Sequence, residues 1–251
     1  MSIIQTFYDH LATHYDKLFK DWQSATQEQG ALLDRIFKEY GVKPSACVLD
    51  CACGIGTQSV GLASLGYCVT ASDLSGGALA EAKARAAERG LGIVFQRADF
   101  RALSDTFSTL FDAVIAMDNA LPHMLSHDAL TAAIKSIIGQ IKPHGIFVAS
   151  IRDYDCLLAD KPPYSAPYIH KTERGQRVSF QTWDWSGEHY KLTQYIIDDE
   201  GTPQIGKFEC EYRATRRSEI TELLLAHGCR RVTWKFPEDT GFYQPIVVAI
   251  K

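Results

Sequence analysis

The sequence predicts an α/β fold: a mostly parallel sheet of seven strands with helices on both faces, interrupted once by an antiparallel β insertion after strand five. Three observations predict it. From residue 30 to residue 151, short apolar or β-branched runs alternate with segments of helical period. Beyond residue 151 the hydrophobic period drops to two. The end of the chain then returns to one helix and two apolar runs that complete the main sheet.

Taken in order, the first five strands fall at 47–51, 68–72, 93–97, 111–117 and 145–151. Ser75 caps a helix that places Leu79, Ala82 and Ala86 on one side and stops at Gly90. Ser126 caps another, whose Leu130, Ile134, Ile137, Ile138 and Ile141 share one face and which Pro143 and Gly145 are expected to end. In the insertion, 177–185, 190–198 and 207–213 alternate as strands, with Ser186-Gly187 as a hairpin turn. A helix over 218–226, closed by Gly228, precedes strands at 230–236 and 246–250.

The chain has 251 residues, with 26 Lys+Arg against 30 Asp+Glu, a net charge of −4 and 46% hydrophobic residues, which excludes disorder and collagen-like repetition. No basic cluster is present, which argues against nucleic acid or an anionic membrane and for a small substrate. Residues 1–16 lack a basic stretch followed by an apolar core, and no later run is long enough to span a bilayer, so a cytoplasmic protein is expected. The seven cysteines show no metal-ligand spacing; they read as reduced, buried thiols, and no metal is expected.

The chemistry concentrates in Val48-Leu49-Asp50-Cys51-Ala52-Cys53-Gly54-Ile55-Gly56-Thr57, a strand running into a glycine-rich turn and then a helix. Small residues let a ligand approach the backbone, and free N–H groups at a helix start favour an anion, either phosphate or carboxylate. A dinucleotide fingerprint needs a third glycine, and Ser59 stands there instead. Asp50 would repel a pyrophosphate but suits a ligand with an ammonium beside its carboxylate. Asp73, 23 residues later, can accept both hydroxyls of a ribose, and Asp99 can accept an adenine amino proton while Phe100 flanks the ring. Each acid alone also reads as a loop acid or a helix cap; together they describe an adenosyl amino acid.

Residues 45–151 resemble a class I S-adenosylmethionine-dependent methyltransferase, and within that superfamily the chain is similar to the glycine/sarcosine N-methyltransferase group acting on small amines. The matching motifs are Leu49 to Gly56, Met117-Asp118-Asn119-Ala120-Leu121-Pro122-His123, and Arg152-Asp153-Tyr154-Asp155 followed by Leu157-Leu158. Tyr8-Asp9, Tyr15-Asp16 and Asp21-Trp22 look like the family's leading segment. The resemblance implies a Rossmann-like core with an antiparallel last strand, and it divides the chain into an N-terminal helical lid (1–44), a cofactor-binding core (45–153), an insertion capping the acceptor (154–215) and a return to the core (216–251). It implies S-adenosylmethionine as methyl donor, with Asp50, Ala52, Gly54, Gly56 and Thr57 at the methionine end. Asp73 and Leu74 then serve the ribose, Asp99 and Phe100 the adenine, and Met117 and His123 touch the cofactor while Tyr15 and Trp22 close over it. Tyr8, Tyr15, Asn119 and Arg152 face the methyl acceptor. The family usually has Gly-Asn-Ser where this chain has Asp118-Asn119-Ala120, a departure on the acceptor side.

Several readings stay open in the residues. His123 is the nearest proton acceptor by motif, or else it only holds its loop or the cofactor. Tyr8 and Tyr15 either hold an amine or lie on one packed helix face. Arg152 is either a carboxylate clamp or an ion-pair partner of Asp153 or Asp155. Trp183 and Trp185 read as a lid over the acceptor, as core, or as a contact in a homo-oligomer. The expected activity is methyl transfer to the nitrogen of a small molecule, a glycine-like amino acid. The rivals are a bulkier, antibiotic-type amine, a non-catalytic S-adenosylmethionine-binding protein and an NAD-linked reductase, the last disfavoured by Asp50 and the missing glycine.

Overall fold

The computed structural model describes residues 3–172, 175–199 and 201–251, so the first two residues of the leading segment and residues 173, 174 and 200 of the insertion lie outside the described residues. The chain opens with helix α1 (Ile3–Leu11), a 3-10 segment (Ala12–Leu18) and helix α2 (Trp22–Glu39). It continues through β1 (Cys47–Asp50), α3 (Thr57–Ser64), β2 (Cys68–Asp73), α4 (Gly76–Glu88), β3 (Val94–Arg97), β4 (Phe111–Ala116), α5 (His127–Gly139) and β5 (Ile141–Ser150). Helix α6 (Tyr154–Asp160) leads into the insertion strands β6 (Tyr168–Lys171), β7 (Gln176–Ser186), β8 (His189–Asp199) and β9 (Gln204–Arg213). Helix α7 (Arg217–Ala226), β10 (Arg231–Lys235), the short α8 (Pro237–Thr240) and β11 (Ile246–Ile250) complete it.

The main sheet runs β10-β11-β5-β4-β1-β2-β3, and β6 to β9 form a separate antiparallel sheet. Strands β1 to β5 are parallel; β11 is antiparallel to both neighbours. The chain steps outward from β1 to β3, then crosses back to β4, which leaves a crevice at the carboxyl ends of β1 and β4. Alternation along each strand feeds two cores: Leu49, Val114 and Phe147 face α5 and α7, whereas Val48, Ile115 and Val148 face α2. Helices α2 and α3 meet through glycines, since a Cβ on Gly30 would lie 2.8 Å from the Gly61 backbone. Tyr190, Leu192 and Tyr212 join the insertion to the first core, so its inner face roofs the crevice.

The expected caps of Ser75 and Ser126 are present, each side chain accepting from the N–H three residues on. The hairpin turn is present too, with Ser186 paired to His189 around Gly187 at φ 63°. One expectation is corrected: α5 stops at Gly139, and Ile141 opens β5 rather than extending the helical face. Pro143 and Gly145 lie inside that strand at an irregularity of register, where the loss of one ladder donor is tolerated. The backbone is so close there that a Cβ on Gly145 would sit 2.7 Å from Asp112 O. The thiol expectation also changes, because Cys68 and Cys156 are exposed while Cys51, Cys53, Cys210 and Cys229 are buried. Strand β6 and helix α6 have no counterpart in the sequence reading.

Candidate active site

Strand β1 ends on Asp50, and the chain then reverses through Gly54 at φ 51° and Gly56 at φ 89°, left-handed conformations that suit glycine. No atom lies within 4 Å of where a Gly54 Cβ would stand, so the turn leaves an open cradle. Asp73, at the end of β2, ties this cradle down: Gly54 N–H donates to its Oδ2 at 2.8 Å and Ser75 N–H to its Oδ1 at 2.8 Å. Burial raises the Asp73 carboxyl even against these hydrogen bonds. Both oxygens keep further lone pairs for a diol.

A first cavity, above this turn, is lined by ten of the residues expected at the cofactor: Tyr15, Ala52, Gly54, Thr57, Asp73, Leu74, Asp99, Phe100, Met117 and His123. Asp99 accepts a bidentate grip from Arg101, which holds its carboxyl low despite partial burial. Three expected residues do not line it. Asp50 sits beneath the turn, where Ser59 Oγ donates to it at 2.6 Å and Ala52 N–H at 3.4 Å; burial pushes its carboxyl up to about 7. Gly56 shapes the turn from below, 3.2 Å separating its Cβ position from Ala82. Trp22 lies behind Thr57, to which its Nε1 donates at 2.9 Å, with Arg85 and Arg89 stacked on its ring. Its outward packing explains why the leading segment's Tyr15, and not Trp22, reaches the cavity.

A second cavity, of about 1190 Å³, opens beside the first; Tyr8, Tyr15 and Asp118 line both. Tyr8 is on α1 and Tyr15 on the 3-10 segment, their rings 6.4 Å apart, so they do not share one helix face. Tyr8 Oη lies 2.9 Å from His123 Nε2, and the imidazole stacks on Tyr212 at 4.2 Å. Burial drives His123 down to about 3. It is therefore neutral at pH 7 and a poor proton acceptor.

Arg152, just beyond β5, lines this second cavity. Its guanidinium donates to Tyr190 Oη at 2.7 Å and Gln181 Oε1 at 2.9 Å and lies over the Trp183 ring at 5.0 Å. Among the described residues no carboxylate pairs with it; Asp153 and Asp155 pair with Arg217 instead. Asn119 Oδ1 accepts from Arg152 N–H at 3.0 Å and Tyr154 Oη at 3.1 Å, while its buried Nδ2 has no partner among the described residues. Asp118 and Asn119 both adopt left-handed backbone (φ 53° and 69°), at a cost of about 1 kcal/mol each, and are pinned by Ser150 through Asp118 N–H to Oγ and Asn119 N–H to O. Trp183 lines the second cavity, whereas Trp185 donates to Pro162 O and packs on Tyr190.

Sequence reasoning did not assign Gln58, Gln181, Tyr190, Tyr212 or Tyr243, all of which shape the two cavities or hold their residues. The alternation of the insertion could have pointed to Tyr190 and Tyr212. Nothing local marks Tyr243, whose hydroxyl reaches Asp118 from 125 positions away.

The family described as a methyltransferase domain matches residues 48–145. A glycine/sarcosine N-methyltransferase of Parasynechococcus marenigrum (strain WH8102) is 30% identical over 154 residues, 61% of this chain and 53% of that protein, so the match spans about half the relative's length. One from Halorhodospira halochloris is 26% identical over 85% of this chain and 76% of its own. The solved amino pentose methyltransferase CalS10 of Micromonospora echinaspora, bound to S-adenosylmethionine, superposes with a TM-score of 0.74 at 18% identity, covering 95% and 94% of the two chains. Residues 48–145 thus match a methyltransferase domain, and the seven-stranded order with one reversed strand belongs to a fold shared with solved S-adenosylmethionine-dependent methyltransferases.

Proposed function

We propose that the protein transfers a methyl group to the nitrogen of a small amine that carries an anionic group, a glycine-like amino acid being the simplest case. S-adenosylmethionine supplies, when bound, an electrophilic methyl on sulfur. The observation that carries the acceptor assignment is Arg152: a guanidinium lining a cavity that adjoins the donor cavity, with neutral hydrogen-bond partners and no carboxylate paired to it among the described residues. Its remaining N–H groups and the free Asn119 Nδ2 suit a carboxylate. Tyr8 and Tyr15 line the passage between the cavities and exclude water from it; burial raises both phenols, so they hold their protons and serve as donors. The protein's task is mainly to position and desolvate the two partners.

A second reading, a bulkier amine, is favoured by the cavity volume of about 1190 Å³ and its wall of Phe180, Trp183 and Tyr212. The relatives named as glycine/sarcosine enzymes support the first reading. A radiolabelled methyl-transfer screen over glycine, sarcosine and antibiotic-type amino sugars separates them. Turnover with glycine or sarcosine supports the amino acid. Turnover only with amino sugars supports the larger acceptor, and binding of the donor without any transfer would leave a cofactor-binding protein.

A further inference from the structure

We infer that Asp118 receives the protonated nitrogen of the acceptor and takes its proton before attack, an inference that rests on the N-methylation proposed above. Asp118 is the one carboxylate among the described residues that lines both cavities, at the junction where acceptor nitrogen and donor methyl must meet. Its supports are neutral: Tyr243 Oη donates to Oδ1 at 2.7 Å and Gln58 Nε2 to Oδ2 at 2.7 Å, and no cationic side chain pairs with it among the described residues. A carboxylate so placed has no cationic partner and keeps spare lone pairs for one. With Arg152 and Asn119 lining the same cavity, the site presents both a carboxylate and a guanidinium to one ligand. An acceptor bearing both an ammonium and an anionic group is its complement.

The histidine and the two tyrosines nearby are spent as bases. His123 binds its proton too weakly and meets the Tyr8 hydroxyl, while Tyr8 and Tyr15 keep theirs. Around Asp118 stand Asp50 beneath the turn, Tyr15 from the leading segment and Tyr243 before β11, with Arg152 beyond β5 lining the same cavity. Burial raises the Asp118 carboxyl and, by the same loss of water, lowers a bound ammonium, which narrows the gap between the two groups. In the step, one N–H bond breaks and its electron pair stays on nitrogen while an O–H bond forms on Asp118. That nitrogen pair then forms the N–C bond as the C–S pair returns to sulfur, and Asp118 gives the proton to solvent after product leaves.

The test uses Asp118→Asn and Asp118→Gly, both compatible with the positive φ at this position. Calorimetry gives the S-adenosylmethionine affinity of each variant, since Asp118 also lines the first cavity, and the donor is then held saturating. Methyl transfer to glycine, sarcosine and an amino-sugar nucleotide is then measured from pH 7 to pH 9. Against whichever is accepted, kcat/KM at pH 7 is expected to fall about 100-fold, the deficit shrinking roughly tenfold per pH unit as the free amine becomes available in solution. Formate is expected to restore part of the Asp118→Gly rate and to leave wild type unchanged. A deficit equal at every pH, or no deficit, overturns the role of Asp118 while leaving N-methylation standing. No transfer by the wild-type protein to any of these amines overturns N-methylation, and the inference with it.

Discussion

Gly54 N–H donates to Asp73 Oδ2 at 2.8 Å, so the acid that ends β2 holds the glycine turn that follows β1. The same carboxylate both shapes the cradle and faces the donor cavity, and its removal acts on both.

Asp73→Ala strands the N–H groups of Gly54 and Ser75, each worth about 1–3 kcal/mol when left without a partner. S-adenosylmethionine affinity is expected to fall at least roughly 100-fold. Calorimetry reads this directly, and equal affinity in the variant overturns the ribose assignment.

Arg152→Ala is expected to leave donor affinity within about threefold and to reduce turnover roughly 100-fold or more, because the guanidinium lines only the second cavity. Arg152→Lys keeps the charge but cannot bridge Tyr190 and Gln181 in one plane, so it recovers only part of the rate. Steady-state kinetics on the accepted amine checks both.

Donor affinity is expected to rise with pH through neutrality. Burial pushes the Asp50 carboxyl up to about 7, which favours its protonated form below neutrality. A bound sulfonium favours the ionised carboxylate and lowers that value, so binding releases a proton and tightens up to roughly tenfold per pH unit below pH 7. S-adenosylhomocysteine, which lacks the sulfonium charge, should show a shallower slope. Calorimetry in buffers of different ionisation enthalpy counts the proton.

His123, held down to about 3, contributes acid sensitivity to the fold. Between pH 6.5 and 3 the unfolded chain binds a proton there that the folded chain refuses, so stability drops as pH falls, by up to roughly 1.4 kcal/mol per unit. His123→Gln is expected to flatten the acid limb of a denaturation series between pH 6 and 4. An unchanged limb would show that the imidazole titrates normally.

The order of elements, the glycine turn and the acids at three strand ends were legible in the linear pattern, because period and turn chemistry are local properties of the chain. So was the arginine beyond β5, since its motif is contiguous. Whether these groups face a ligand was not. Asp50 and Trp22 read as cofactor contacts yet turn toward Ser59 and Thr57, since the packing of α3 against β2 and α2 decides which side of the turn each one occupies. The end of α5 was misread for the same kind of reason: Ile141 suits either a helical face or a strand, and pairing with Phe111 selects the strand. Asp118 illustrates the division most sharply, as its identity is plain in the sequence but its neutral partners Gln58 and Tyr243 come from 60 and 125 positions away. Short-range chemistry names the reactive groups; only the folding of distant strands onto one sheet edge brings them within bonding reach and removes the water between them.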